Sequence, residues 1–466
     1  MTDQFDLVII GGGPGGYVAA LRAAQLGMKV AVVEKRDTLG GTCLNEGCIP
    51  SKALLDSSEY FALARDSFQR HGILVDPPRL DLAQMMKRKD EVVTRLTRGI
   101  SSLFKKNAIE LVSGSGCLLK GTGVSQVAVT TAAGEELTLT GKNVLLATGS
   151  EAVALPGLPF GGPVGSAREA LALERVPQHL VVVGGGYIGL ELGSVLLRLG
   201  AKVTVVEMRD DLLPAADQEV ARTLIKSLEK QGMTILPGTR VARADIGANE
   251  ATLQLEGKSP QSLTCDRVLI AAGRRPCTEG LGLEGVGISL EQGRIPVDAD
   301  YRTVRPGVFA VGDLIAGPML AHKAMDEGAA CVERLHGKRP EVDYRLIPGV
   351  VYTMPEAASV GRSEEQLKAE GTAYTVGRFP FMASGRAKAL DETEGFVKVL
   401  AAPDSGLILG VHILGARASE LIAEAVAVMA FSGGIEDLAA IMHAHPTLAE
   451  AFKEAALAAG GMALHA

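Results

Sequence analysis

The sequence predicts an α/β protein in which one parallel β-α-β fold occurs twice, followed by an α+β domain. Three observations carry this. Leu7 to Ile10, a branched apolar run, enters Gly11-x-Gly13-x-x-Gly16 and then a helix-forming stretch. The pattern returns without a gap: LVVVGGGYIGLELGSVLLRLGAKVTVVEMRD from Leu180 matches LVIIGGGPGGYVAALRAAQLGMKVAVVEKRD from Leu7. From about Pro340, strand-like runs alternate with helices, as in an antiparallel sheet covered on one face.

Bulk properties bound the rest. A chain of 466 residues needs two to four domains. It is 47% hydrophobic and 22% charged, with 56 glycines and no tryptophan, which describes alanine-rich helices joined by glycine turns. A net charge of −7 with no basic tract excludes a nucleic-acid partner. No apolar run reaches the ~20 residues of a membrane span, and Leu421 to Phe431 is interrupted by Glu424. MTDQFDLVIIGGG is acidic and runs directly into a strand, so the expectation is a soluble, cytoplasmic protein.

Taken in order, Leu7 to Ile10 reads as a buried parallel strand, the stretch to Leu26 as a helix, and Val30 to Val33 as a second strand ending in Glu34. Gly11 permits the tight turn, Gly13 lets a pyrophosphate approach the backbone, and Gly16 lets helix pack on strand. Glu34 would accept from ribose hydroxyls. These are the parts of a Rossmann-like dinucleotide-binding fold, and the repeat places Gly184, Gly186, Gly189, Gly200 and Glu207 on Gly11, Gly13, Gly16, Gly27 and Glu34. The copies close with NVLLATG, ending at Gly149, and RVLIAAG, ending at Gly273. Two nucleotides follow. Glu207 would face a 2′-phosphate with like charge, which favours NAD over NADP.

GGTCLNEGCIPSKALL, Gly40 to Leu55, holds Cys43 and Cys48. Pro50 points to a helix starting just after Cys48, which would put a thiol in the positive field of a helix N-terminus. A zinc site needs a second ligand pair, and Cys117, Cys265, Cys277 and Cys331 are scattered. A structural disulfide is the remaining alternative to a working redox pair. Beyond it, Asp56 to Lys106 reads as helical and Leu111 to Leu139 as strands with glycine turns. Val308 to Val311 reads as another buried strand, with Asp313 either at a ligand edge or capping the helix that follows. In the C-terminal part, Ser363 to Gln366 is a capping box. HAHPTLAEAFKEA places His445 ahead of a helix that includes Glu450. Glu450 either orients the imidazole or completes the Thr447-x-x-Glu450 capping box.

Together these motifs resemble the FAD-dependent disulfide reductases, the pyridine nucleotide-disulfide oxidoreductases, over the whole chain. GGTCLNEGCIPSKALL, the two glycine fingerprints, ATGS, AAGRRP, VFAVGD, GPMLAHKA and HPTLAEAF occur in family order. Within the family the resemblance is to members that oxidise dihydrolipoyl groups. It implies an FAD-binding domain from residues 1–146 and 271–341, an NAD-binding domain at 147–270 and a dimerisation domain at 342–466. Cys43 would be the interchange thiol that meets substrate and Cys48 the charge-transfer thiol against the flavin. His445, from the other subunit of a homodimer, would be the acid/base, oriented by Glu450. Lys52 and Glu191 match a pair beside the flavin.

Cofactor contacts implied for the first site are Gly11, Gly13, Pro14, Gly15, Gly16, Glu34, Lys35, Gly41, Thr42, Lys52, Thr148, Gly149, Gly312 and Asp313. Gly273, Arg274, Met319, Leu320, Ala321 and His322 are added from AAGRRP and GPMLAHKA. For the second they are Gly184, Gly186, Tyr187, Ile188, Gly189, Glu191 and Glu207. Tyr187 would either cover the flavin until nicotinamide displaces it or pack its own loop. The expected partners are the lipoyl domains of 2-oxoacid dehydrogenase or glycine-cleavage complexes. A glutathione-reductase-like enzyme is opposed by Glu207. Mercuric reductase and the large thioredoxin reductases carry a further C-terminal pair, and this chain has no cysteine after Cys331. A non-catalytic flavoprotein subunit would not need the intact thiols and His–Glu pair.

Overall fold

The computed structural model describes residues 4–121 and 125–465. The chain forms two compact units, one of Met1–Ala53, Ala83–Val153 and Gly273–Val342, the other of Leu54–Leu82, Ala154–Ala272 and Asp343–Ala466.

In the first unit the strand Gln4–Ile10 pairs in parallel with Val30–Glu34 on one side and with Glu136–Leu146 on the other. Leu7 to Ile10 and all of Val30–Glu34 are buried, as apolar residues on both faces of a parallel strand require. Glu110–Ser113 extends the sheet beyond Val30–Glu34. The eleven-residue strand Glu136–Leu146 serves two neighbours along one edge. Its first half pairs antiparallel with Ser125–Thr130, and its end, Val144 to Leu146, pairs in parallel with Val308–Ala310. The turn of the expected β insert at 122–124 lies outside the described residues.

The helix Pro14–Gln25 is held close to the sheet and to the helix Ala321–Leu335 by missing side chains. A β-carbon on Gly16 would lie 1.8 Å from the Gly11 carbonyl oxygen, and one on Gly328 would lie 2.4 Å from that of Gly15. Two expectations are corrected here. The span 56–106 is not one helical stretch: the helices Cys48–Asp66 and Leu82–Lys106 are separated by a short 3₁₀ turn and an extended segment. Pro77 and Pro78 in that segment have no backbone donors for a helix. The chain also does not pass from Val311 straight into a helix. Gly312–Leu314 is a single 3₁₀ turn, and the next helix begins at Ala321 with Leu320 at its N-cap, so Asp313 caps nothing there.

In the second unit the repeat builds a parallel sheet in the order Thr234–Leu236, Lys202–Val206, His179–Val183, Arg267–Ile270 and Val164–Gly165. A three-stranded antiparallel sheet, Thr239–Ile246, Ala251–Gly257 and Gln261–Cys265, is inserted before the closing strand. The C-terminal part is an antiparallel sheet in the order Gly349–Val351, Glu356–Gly361, Ile408–Gly415, Phe396–Ala401 and Thr375–Pro380. The helices Ala418–Ala430 and Glu450–Ala459 supply apolar residues to its core, among them Ile422 and Phe452. The Ser363–Gln366 capping box forms as read. No helix among the described residues is long and apolar enough to cross a membrane.

A buried charge cluster joins the nucleotide-binding fold of this unit to its C-terminal sheet. Lys398 Nζ meets both oxygens of Asp217 at 3.1 Å and Glu364 Oε2 at 2.6 Å. Asp217 also caps the helix Gln218–Lys230. Lys368 and Lys398 pull the Glu364 carboxyl down to about 2. Beside the cluster His412 is buried, which lowers its pKa, and among the described residues its Nδ1 has no partner. Lys398→Met strands the Asp217 carboxylate in the interior, a loss on the order of 3–5 kcal/mol. Calorimetry should show the transition of this unit falling by roughly 10 °C. Stability should also decline with acid in two windows. A lowered histidine costs stability as pH falls below its unfolded value near 6.5, where the unfolded chain takes the proton first. The Glu364 contribution is complete above 4.5 and is lost between 4.5 and about 2.

Candidate active site

The thiol loop is built onto the first glycine loop. Gly40 N–H donates to the Gly12 carbonyl at 2.9 Å, and a β-carbon on Gly41, at φ +57°, would lie 2.7 Å from Gly13 Cα. Cys43 then sits in the short helix Gly41–Glu46, and Cys48 opens the helix Cys48–Asp66 after a break at Gly47. The helix starts at Cys48 itself, with Pro50 third, rather than just after the cysteine. Pro50 is still in the first turn, where backbone donors have no intrahelical partner. Asn45 ties the loop shut through the Leu39 and Gly41 carbonyls, and Arg36 pairs with Glu46 at 2.5 Å.

Both cysteines are free thiols in hydrogen-bond contact, Cys43 half-buried and Cys48 exposed. The bond to Cys48, burial, and the charge of Cys48 hold the Cys43 thiol far above the ordinary range, against an opposing pull from Lys52. Cys48 stands at the N-terminus of a nineteen-residue helix, the end whose field favours negative charge. Lys52 lies one turn further along that helix.

The two glycine loops share a feature that sequence reading missed. Glu34 Oε2 accepts from Gly12 N–H at 2.7 Å while Oε1 accepts from Arg36 N–H at 2.9 Å. Glu207 does the same with Gly185 at 2.7 Å and Arg209 at 2.8 Å. Each acid thus pins its fingerprint loop to the end of the second strand, and the remaining lone pairs stay available to a ribose. The approach to each loop is open. A β-carbon on Gly13 would meet only Gly41 Cα, at 3.7 Å, and one on Gly186 would meet nothing within 4 Å. The loops lead directly into the N-termini of Pro14–Gln25 and Tyr187–Arg198, suited to a pyrophosphate. The residues present fit two dinucleotides.

In the first unit the predicted residues from three distant segments converge. Thr148 Oγ donates to the Cys277 carbonyl at 2.7 Å, and Gly149 takes φ +71°. Arg274 Nε donates to Ser150 Oγ at 2.7 Å, and Ser150 donates in turn to Asp313 Oδ2 at 2.5 Å. The 3₁₀ turn carrying Gly312 and Asp313 is clamped from below. Glu327 Oε2 accepts from Gly312 N–H at 2.8 Å, and Lys323, paired with Glu327 at 2.9 Å, donates to the Gly312 carbonyl. Both clamp residues are wholly buried. Ser150, Lys323 and Glu327 were not singled out from sequence; the i, i+4 Lys–Glu spacing was the available signal. Met319 to His322 form the entry into the helix Ala321–Leu335.

In the second unit, Gly184 takes φ +114°, and Tyr187, partly exposed, and Ile188 open the helix after the loop. Glu191 is buried and accepts from the Tyr352 amide at 3.0 Å. Lys52 lies in the first unit and Glu191 in the second.

His445 and Glu450 meet. His445 Nδ1 is 2.8 Å from Glu450 Oε1, and Thr447 N–H donates to Oε2 at 2.8 Å. The capping box read from Thr447-x-x-Glu450 is only half made: Glu450 Oε2 accepts from the Thr447 amide, but the helix begins at Glu450 with Ala449 at its N-cap and no side-chain cap. Burial raises the Glu450 carboxyl, but the Thr447 amide, the His445 ring and the charge of His443 outweigh it and bring it below the usual range. The His445 ring is 79% exposed, with Nε2 free of protein contacts among those described. Thr447 turns its hydroxyl back to the Ala444 carbonyl and fixes the loop.

Residues 5–328 match the family model described as pyridine nucleotide-disulphide oxidoreductase, and residues 347–456 match that family's dimerisation domain. The chain is 52% identical to dihydrolipoyl dehydrogenase 3 of Pseudomonas putida, over 99% of both chains. It is 49% identical to the mitochondrial dihydrolipoyl dehydrogenase of Pisum sativum, over 100% of this chain and 93% of that one. Among solved structures it is similar to LpdA of Mycobacterium tuberculosis, with a TM-score of 0.90 and 28% identity over 98% of this chain and 99% of that one.

Proposed function

The chain belongs to the pyridine nucleotide-disulphide oxidoreductase family, and from that premise we propose that it oxidises dihydrolipoyl groups to lipoyl through Cys43 and Cys48 and reduces NAD⁺. The observation that carries this reading is the thiol pair, Cys43 and Cys48 in contact at the start of a nineteen-residue helix and built onto an open dinucleotide loop. FAD bound at the first loop would supply two-electron chemistry to the thiols and to NAD⁺, and the Gly11 to Gly16 loop, Glu34, Lys52, Thr148 and Asp313 would hold it.

The rest is done by this chain's own residues. In the oxidised enzyme the two sulfurs form a disulfide. A dihydrolipoyl thiol, largely protonated at neutral pH, gives its proton to His445 Nε2 while Glu450 holds Nδ1–H and stabilises the imidazolium. The resulting thiolate attacks Cys43; the Cys43–Cys48 bond breaks and Cys48 leaves as thiolate. His445 passes this first proton to solvent and takes that of the second substrate thiol, whose thiolate attacks the substrate sulfur of the mixed disulfide. Lipoyl is released, and Cys43 leaves with a proton returned from His445. The protein then holds the reduced pair, its proton on Cys43 and its charge on Cys48.

We further propose a homodimer through the C-terminal domain in which His445 serves the partner's thiols, in the reducing environment of the cytoplasm. Its partners would be lipoyl domains of 2-oxoacid dehydrogenase or glycine-cleavage complexes. Turnover of dihydrolipoamide with NAD⁺, and none of glutathione with NADPH, is the expected assay result. Preference for NAD over NADP in kcat/KM should be on the order of 100-fold, since Glu207 opposes a 2′-phosphate by several kcal/mol. A glutathione-active, NADP-preferring enzyme would overturn the assignment.

A further inference from the structure

Lys323 and Glu327 take no part in the chemistry above, yet both side chains are wholly buried in the first unit. Two apolar side chains of like volume would serve a core as well or better. What apolar side chains cannot do is hold a backbone. Gly312, at φ +73°, gives its N–H to Glu327 Oε2 at 2.8 Å, and its carbonyl accepts from Lys323 Nζ at 3.2 Å. Both polar groups of one residue are thus held by side chains four residues apart on the helix Ala321–Leu335, themselves joined at 2.9 Å. Each contact needs only a donor and an acceptor, which the two side chains supply.

The same helix reaches the first glycine loop. Ala324, between the two clamp residues, is buried beside both Gly15 and Gly312: a β-carbon on Gly15 would lie 3.4 Å from its Cβ, and one on Gly312 would lie 3.1 Å away. Gly312 leads into Asp313, whose carboxylate accepts from Ser150. One helix therefore touches the two parts of the first site that are furthest apart in sequence.

We propose that Lys323 and Glu327 are positioning residues for FAD: they fix the Gly312–Asp313 turn beside the glycine loop, so that both grips on the cofactor are in place before it binds. The inference rests on the FAD-binding role given to Asp313 above. A turn free to sample other conformations would have to be ordered on binding, and that cost would emerge as weaker affinity. Neither residue needs to touch the cofactor.

The test is the FAD affinity of the full-length chain, stripped of flavin and titrated with FAD by ultrafiltration, beside the melting temperature of the stripped protein. Lys323→Met combined with Glu327→Leu removes the clamp without stranding either partner. It should keep that melting temperature within about 5 °C, while FAD binds about 10–100-fold more weakly. Glu327→Gln keeps the volume but turns an NH2 toward one of the two donors. It should weaken FAD about tenfold, and it carries the test if the doubly apolar chain does not fold. Asp313→Asn completes a double-mutant cycle: it should itself weaken FAD, and in its background the clamp substitutions should add less than about threefold, because they act through the same turn. Unchanged FAD affinity in the clamp variants, whatever their melting temperature, would mean a packing role only and would overturn the proposal. Losses that multiply in full with Asp313→Asn would overturn it too. If Asp313→Asn binds FAD as tightly as the parent, the role given to Asp313 falls and this inference with it; if it binds weakly and the clamp variants do not, this inference falls alone.

Discussion

Cys48→Ser leaves a folded, yellow protein whose turnover of dihydrolipoamide with NAD⁺ drops by three orders of magnitude or more, the scale on which loss of an activated nucleophile acts. The reason is in the exchange step. Without a second sulfur, attack on Cys43 has no disulfide to open and no leaving thiolate, so no electrons enter the enzyme. Retention of flavin absorbance and an unchanged melting transition would show that the loss is chemical: Cys48 is exposed and serine removes little packing. Cys43→Ser is the instructive companion. It also abolishes turnover but keeps the sulfur at the N-terminus of Cys48–Asp66, so its flavin spectrum should differ from that of Cys48→Ser in the long-wavelength region. Full activity in either variant would disprove the cysteine mechanism.

The second large effect is at His445. His445→Gln should lower kcat by about 10²–10⁴-fold, the contribution usual for a positioned acid/base, in both directions of the reaction, since the same proton must leave and return. Binding of NAD⁺ should be unaffected, because the glycine loop and Glu207 are anchored by their own hydrogen bonds. Glu450→Gln should cost less, because its carbonyl oxygen can still accept from the ring at the position of Oε1, although its NH2 cannot accept from Thr447. Single-turnover measurements of thiol oxidation separate these losses from slow hydride transfer to NAD⁺. A His445→Gln enzyme as fast as the parent would remove the histidine from the reaction.

Much of the site was legible because its signals are local. A glycine forced to positive φ, a branched apolar strand, an acid at a strand end and two thiols with four residues between them each depend on neighbours within a few residues. The match of Gly184 to Gly11, or of Glu207 to Glu34, could be read letter by letter, and the structure gives the pairs the same backbone geometry. What misled was also local. The helical periodicity between Asp56 and Lys106 hid an extended segment around Pro77 and Pro78, and the buried strand at Val308 was read as leading straight into a helix that in fact begins at Ala321.

By itself the sequence determined the repeat of the nucleotide-binding fold, the antiparallel C-terminal sheet, the thiol pair and the acid beside each loop. Repeating period and turn chemistry are written along the chain. Only the tertiary structure decided which polar groups meet across it. Glu34 and Glu207 turned out to hold loop amides, Asp313 to accept from Ser150, which Arg274 holds, and Gly312 to sit on the buried Lys323–Glu327 clamp. Lys398 proved to neutralise an acid 181 residues away, and His443 to pair with a carboxylate 19 residues back. Such contacts arise because a buried polar group must find a partner wherever the sheets and helices have carried one, and that address is set by packing rather than by spacing.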